Sequence, residues 1–162
     1  MGGGLLPRTA PVMGHVALLA GADGEGLSKR LGSLSIGQLR DEGTEREALA
    51  SLLARIGTAD PVVANADMSA IIEGFDLSRF GRATAKFDPA ELVQVNVKIV
   101  QQRGFDDVST QLEKLSVGGG EAFWLAVRDN VSTVAEAAHW WRVCTTPLAP
   151  VSYTHLTLPT KA

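Results

Sequence analysis

The sequence predicts a mainly α-helical chain that opens with a single strand-and-loop element. Apolar residues recur at spacings of three and four in several segments, each closed by a glycine. Capping residues stand where those segments begin. The early apolar run Val12 to Ala20 is short, non-periodic and followed by Gly21-Ala22-Asp23-Gly24, which reads as a buried strand entering a loop. Nothing in the sequence offers that strand an evident partner, so fraying or aggregation is expected over residues 1 to 25.

The helices follow in order. Ser35 is placed to cap Ile36 to Arg40, with Gly43 just beyond the end. From Glu45 to Ile56, the residues Leu49, Leu52, Leu53 and Ile56 form one apolar face, and Gly57 supplies the stop. An extended linker begins at Asp60-Pro61, and Met68, Ile71 and Ile72 form a short stripe ended by Gly74. Asp76 then caps a single turn through Phe80. Asp88 before Pro89 is the strongest helix start, and the run to Gln102 carries Leu92, Val95, Ile99 and Val100 on one side. Two more helices are expected, at Asp106 to Leu115 and Glu121 to Arg142, the second interrupted near Asn130-Val131-Ser132 with Ser132 capping the restart. Gly118 to Gly120 form a joint between them, suggesting two small helical units.

Composition narrows the function classes. With 162 residues, 45% of them hydrophobic and 20% charged, the chain can bury a core and is not disordered throughout. A net charge of −3 argues against a generally basic nucleic-acid coat protein, though not against a local basic face. Cys144 is the lone cysteine, so no disulfide framework or zinc-ligand spacing exists, and no metal site is expected. No apolar stretch reaches the roughly 18 residues of a spanning helix, and the glycine-rich start lacks a signal peptide's features. The expectation is a soluble, cytoplasmic protein without a membrane partner.

The stretch Asp23-Gly24-Glu25-Gly26-Leu27-Ser28-Lys29-Arg30 carries the most chemistry. Glycines let backbone amides approach a polyphosphate, and Lys29 supplies a compact cation with three donors. The spacing leaves two readings open: a phosphate-holding loop, or two solvated cations beside a surface turn. It is not a Walker A loop.

Leu27-Ser28-Lys29-Arg30 after an apolar strand resembles the KMSKS signature of class I aminoacyl-tRNA synthetases, in the form of the glutamyl-tRNA synthetases. The likeness continues through Ser35-Ile36-Gly37-Gln38-Leu39-Arg40-Asp41-Glu42-Gly43 and Ala48 to Gly57, then Phe75 to Phe80, Ala85 to Pro89 and Leu92 to Asn96. Phe123-Trp124 and Trp140-Trp141-Arg142 resemble proteobacterial members, and coverage runs to about Pro150. The resemblance implies residues 1–32 as the end of a Rossmann-type catalytic domain, 33–104 as a helical stem-contact domain and 105–150 as the start of a helical anticodon-binding domain. Residues 151–162 change character abruptly and resemble a translated adapter sequence, foreign to the fold.

The same resemblance implies an enzyme that activates glutamate with ATP, carried as its magnesium complex, and transfers it to the 3′ end of its tRNA. Lys29 would be catalytic, stabilising the transferring phosphates, with Gly26, Leu27, Ser28 and Arg30 completing the ATP loop. Gly26 stands where the signature's first lysine would be, leaving more of the ATP contact to Lys29. None of His15, His139 and His155 forms a HIGH-type motif. The chain is therefore expected to bind tRNA without catalysing alone, as a monomer.

From Arg79 to Arg103, the cations Arg79, Arg82, Lys86, Lys98 and Arg103 outnumber the anions Asp88 and Glu91 by three, which suggests a basic face for tRNA phosphates. The bland reading is a solvated helix surface. The rival function is a stand-alone helical RNA-binding or interaction module without ATP chemistry. His15 reads as a packed core histidine. Trp124, Trp140 and Trp141 lie among apolar neighbours, and core packing is expected for at least two of them.

Overall fold

A computed structural model describes residues 14–21, 24, 26–27 and 35–147. The expected foreign tail and residues 28–34 lie outside the described residues. The chain is mainly helical with one small parallel sheet.

Strand β1 (Leu19–Gly21) pairs in parallel with β2 (Ala85–Phe87), setting Leu19 opposite Ala85, Ala20 opposite Lys86 and Gly21 opposite Phe87. This corrects two expectations: the strand is three residues long, and it has a partner within the chain. Ala85 and Phe87 are buried while Lys86 points outward. That two-residue alternation places β2 as a half-buried strand, but three residues carry too little pattern to be seen in the sequence. His15 is exposed rather than packed in a core.

Between the strands, α1 (Ile36–Asp41) starts at Ser35, whose hydroxyl accepts from the Gln38 amide at 3.0 Å. Gly43, past its end, has φ +89°, and a Cβ there would lie 3.0 Å from the Thr133 side chain. Glycine is thus required both by the left-handed backbone and by the close approach. Helix α2 (Arg46–Leu53) follows, then α3 (Met68–Glu73) capped by Asp67 and a 3₁₀ turn (Leu77–Arg79) capped by Asp76. The Asp76 carboxyl is held below the usual carboxylate range by hydrogen bonds from the Ser78 hydroxyl and amide.

Helix α4 (Pro89–Gln102) begins as read, with the Asp88 carboxylate accepting from the Ala90 amide at 2.9 Å. After it come α5 (Phe105–Lys114), α6 (Gly120–Val127), two 3₁₀ turns and α7 (Ala137–Thr145). The break between α6 and α7 is where the sequence places it, but its cap differs. Thr133, not Ser132, precedes the new turn, and the Ser132 amide donates to the Glu136 carboxylate at 2.9 Å.

Two apolar clusters fill the molecule. One gathers Ala48, Leu52, Phe87, Leu92, Val95 and Ile99; the other gathers Val100, Val108, Leu112, Trp124, Val134 and Ala137 among others. They meet on α4, where adjacent Ile99 and Val100 belong to different clusters and both are fully buried. Trp124 is completely buried with its indole N–H bonded to the Arg103 carbonyl at 3.0 Å. Trp141 packs edge-on against Phe123 with ring centroids 5.1 Å apart, and Trp140 is more exposed. Two of the three tryptophans thus serve packing, as expected.

Glu47, in the first turn of α2, is only 2% exposed. Burial alone would push its carboxyl up, but the Arg46 side chain, its own backbone amide and the Arg103 charge together hold it below the ordinary value of 4.5. A depressed folded-state pKa stabilises the fold above the unfolded value and loses that stabilisation as pH falls through the folded one. Thermal melts of wild type should therefore lose stability on acidification from pH 6 to about pH 3 more steeply than melts of Glu47→Gln. At neutral pH the variant should be less stable by about 1–3 kcal/mol, the loss of charged hydrogen bonds where Arg103 still keeps Glu45. Equal acid slopes would remove Glu47 from this role.

Candidate functional site

The loop that carries the candidate ATP residues leaves β1 at Gly21. The Gly24 amide donates to the Gly21 carbonyl at 2.8 Å, and Gly24 has φ +82°, so the chain turns tightly there. Gly26 then bridges back to Ala20 in antiparallel fashion, and Leu27 packs against the cluster of Ala48, Leu52 and Phe87. The base of the loop is thus fixed by a turn, a backbone bridge and an apolar anchor. Ser28, Lys29 and Arg30 lie outside the described residues.

Gly26 differs from Gly24. A Cβ built on it meets nothing within 4 Å, and its φ lies outside the left-handed region. The fold therefore does not require glycine at the position where the signature has a lysine.

Of the expected tRNA-contacting cations, Arg82, Lys86 and Lys98 are exposed, and among the described residues no acidic side chain lies within ion-pair distance of them. Lys86 lies on β2 and Lys98 on α4, where it shares a shallow hollow with Val62, Val63, Ala64, Gln101 and Gln102. Arg79 is half committed, donating to Asp60 at 2.8 Å with half its side chain in solvent. That geometry holds the 3₁₀ turn against the linker that begins at Asp60.

Arg103 is differently placed. Its guanidinium donates to Glu45 at 2.7 Å and Glu47 at 2.6 Å, and its side chain is only 16% exposed. Burial would lower its pKa, but Glu45 and Glu47 more than compensate, so its positive charge is reinforced. The sequence tally counted it as part of an RNA face because its neutralising acids lie 56 and 58 positions away. Arg55, just past the end of α2, donates from its guanidinium to the Gly74 carbonyl at 2.8 Å.

A concavity of about 530 Å³ is lined by Ile36, Leu39, Leu49 and Leu53 beside α1 and α2. None of the described candidate residues lines it. The described residues hold no cluster of three or more histidine, cysteine or acidic side chains able to bind a metal. No described helix is long and apolar enough to cross a membrane.

The described residues thus form a helical body with a strand-based, glycine-bearing loop base and the solvent-facing cations Arg82, Lys86 and Lys98. No family model matches the chain. It is 50% identical over 143 residues to glutamate–tRNA ligase 1 of Maricaulis maris, covering 88% of this chain and 32% of that protein. It is 46% identical over 140 residues to glutamate–tRNA ligase 1 of Brucella ovis, covering 85% and 31%. Among solved structures it is similar to the glutamate–tRNA synthetase of Elizabethkingia anophelis, with a TM-score of 0.61 at 21% identity over 81% of this chain and 32% of that one, which speaks for the fold. The chain belongs to the glutamate–tRNA ligase family and matches its C-terminal part. It spans about a third of the length of the curated relatives it matches.

Because the space at Gly26 is open, Gly26→Lys should fold with a melting free energy within about 0.5 kcal/mol of wild type. A loss above about 2 kcal/mol in chemical denaturation would show that the loop base needs glycine after all.

Proposed function

We propose that this chain is the part of a glutamate–tRNA ligase that closes over ATP and contacts the tRNA stem. The observation that carries the reading is the 46–50% identity to glutamate–tRNA ligases over 140–143 residues. The fixed base of the Gly26-Leu27-Ser28-Lys29-Arg30 loop and the exposed Arg82, Lys86 and Lys98 support it. The domain division at residues 32, 104 and 150 is part of the proposal, as is a monomeric, cytoplasmic protein.

In this reading glutamate attacks the α-phosphorus of ATP, forming glutamyl-adenylate and releasing pyrophosphate; the terminal tRNA ribose then takes the glutamyl group and releases AMP. Lys29 follows the negative charge that moves onto the pyrophosphate oxygens as the bond breaks, and magnesium enters with ATP as its complex. Backbone amides around Gly26 and Ser28 lie against phosphate oxygens, and Arg30 strengthens the local positive field. Arg82, Lys86 and Lys98, with Arg79 in part, neutralise stem phosphates and set the register of the RNA without reading bases. Arg103 serves this surface indirectly, through the acids it holds.

The test is binding of glutamate tRNA to the 162-residue chain across a salt series. Lys98→Ala and Arg82→Ala should each weaken binding and reduce the slope of log affinity against log salt by about one, while Lys29→Ala should change affinity less than about twofold. In a full-length ligase carrying this segment, Lys29→Ala should slow glutamate-dependent ATP–pyrophosphate exchange by about 100-fold or more. Undiminished exchange would remove Lys29 from catalysis; salt-independent binding would remove the cations from the tRNA surface.

A further inference from the structure

We propose that Glu45, Asn96 and Arg103 form a polar latch that fixes the α5–α7 end of the chain at one angle to the α1–α4 end, and so holds the RNA-facing cations in register with the rest of the bound RNA. The functional half of this inference rests on the tRNA-binding reading above.

Asn96 and Arg103 are seven residues apart on α4 and at its C-terminal end, two turns apart and therefore on one side. Both reach Glu45. The Asn96 side-chain oxygen accepts from the Glu45 amide at 2.7 Å, and the Arg103 guanidinium donates to the Glu45 carboxylate at 2.7 Å. Each also holds the other end of the chain. The Asn96 side-chain amide donates to the carbonyls of Gly43 at 3.3 Å and Ser132 at 2.9 Å. The Arg103 carbonyl accepts from the Trp124 indole at 3.0 Å and from Arg128 at 3.4 Å.

The contact is close as well as bonded, since Gly43 presses against Thr133 at a spacing that a Cβ would reduce to 3.0 Å. Apolar packing across Ile99 and Val100 favours association without dictating an angle. Directional bonds to a side chain only 5% exposed do dictate one, because any other angle strands buried donors and acceptors. Glu45 also lacks a capping bond from its own side chain to α2, its carboxylate being turned to Arg103 instead.

Cys144 is the chain's single cysteine and is exposed on α7, so it takes one spin label; Glu73→Cys on exposed α3 takes the other. Electron–electron distance measurement on this doubly labelled chain should give one narrow distribution. Adding Asn96→Ala, which removes the side-chain bonds to Gly43, Ser132 and the Glu45 amide, should broaden it while circular dichroism keeps the helical signal. The same substitution should weaken glutamate tRNA binding about fivefold with an unchanged salt slope. Simple electrostatics gives no change, since Asn96 is uncharged and buried.

A distribution that stays narrow in Asn96→Ala, or unchanged RNA binding, overturns the latch. If Asn96→Ala loses helicity, Asn96→Ser, which keeps a polar group but is too short to reach both Glu45 and Ser132, replaces it, and a narrow distribution there is equally fatal. Failure of the wild-type chain to bind RNA would overturn the tRNA-binding reading and leave the distance distributions to decide the latch.

Discussion

Burial of the Glu47 carboxylate dictates much of the surrounding architecture. A charge with 2% exposure must be matched, and the match comes from two sides: Arg46 beside it and Arg103 from the end of α4. Bringing Arg103 there requires α4 to end at Gln102, so that the next residue leaves the helix with φ −67° and ψ 128°. Once extended, Arg103 exposes its carbonyl to Trp124, and Trp124 is the largest fully buried side chain of the second apolar cluster. The position of one acid in the first turn of α2 is thus tied, through a single arginine, to the seat of a tryptophan 77 positions later in the chain.

How much of this the sequence disclosed depended on the range of the interaction. Local chemistry was legible: Ser35, Asp76 and Asp88 cap as their types require, Pro89 opens α4, and Gly43 and Gly57 adopt left-handed backbone after the helices they end. The apolar face of α4 was also legible, because Leu92, Val95, Ile99 and Val100 satisfy one helical period whatever they pack against. What was hidden was pairing at a distance. The strand Leu19–Gly21 finds Ala85–Phe87 across 63 intervening residues, and nothing in a three-residue segment announces that. The pairing of Arg103 was hidden for the same reason, since a charge count along a window cannot see Glu45 and Glu47.

The candidate site divides along the same line. Gly26 and Leu27 were singled out from the signature they belong to, and the fold gives them separate work: a backbone bridge for one and an apolar anchor for the other. Arg82, Lys86 and Lys98 were singled out only as positive charge, and it is their exposure that separates them from Arg103. Arg79 sits between these cases, bonded to Asp60 yet half in solvent, so its charge is partly cancelled by that pair.

The small sheet bears on how the loop and the cations act together. Gly21, where the loop departs, lies opposite Phe87, and the next residue, Asp88, caps α4. Phe87 is buried in the same cluster that receives Leu27 from the loop and Leu92 and Val95 from α4. The start of the loop, the strand bearing Lys86 and the helix bearing Lys98 therefore share one frame of backbone bonds and packed side chains. A shift of β1 along β2 by one residue would turn Ala20 outward and carry the loop base with it, at the cost of both the pairing and the anchor. Sliding of β1 along β2 would therefore break the strand pairing and the Leu27 anchor together, and the frame fixes the loop base at Gly26 and Leu27.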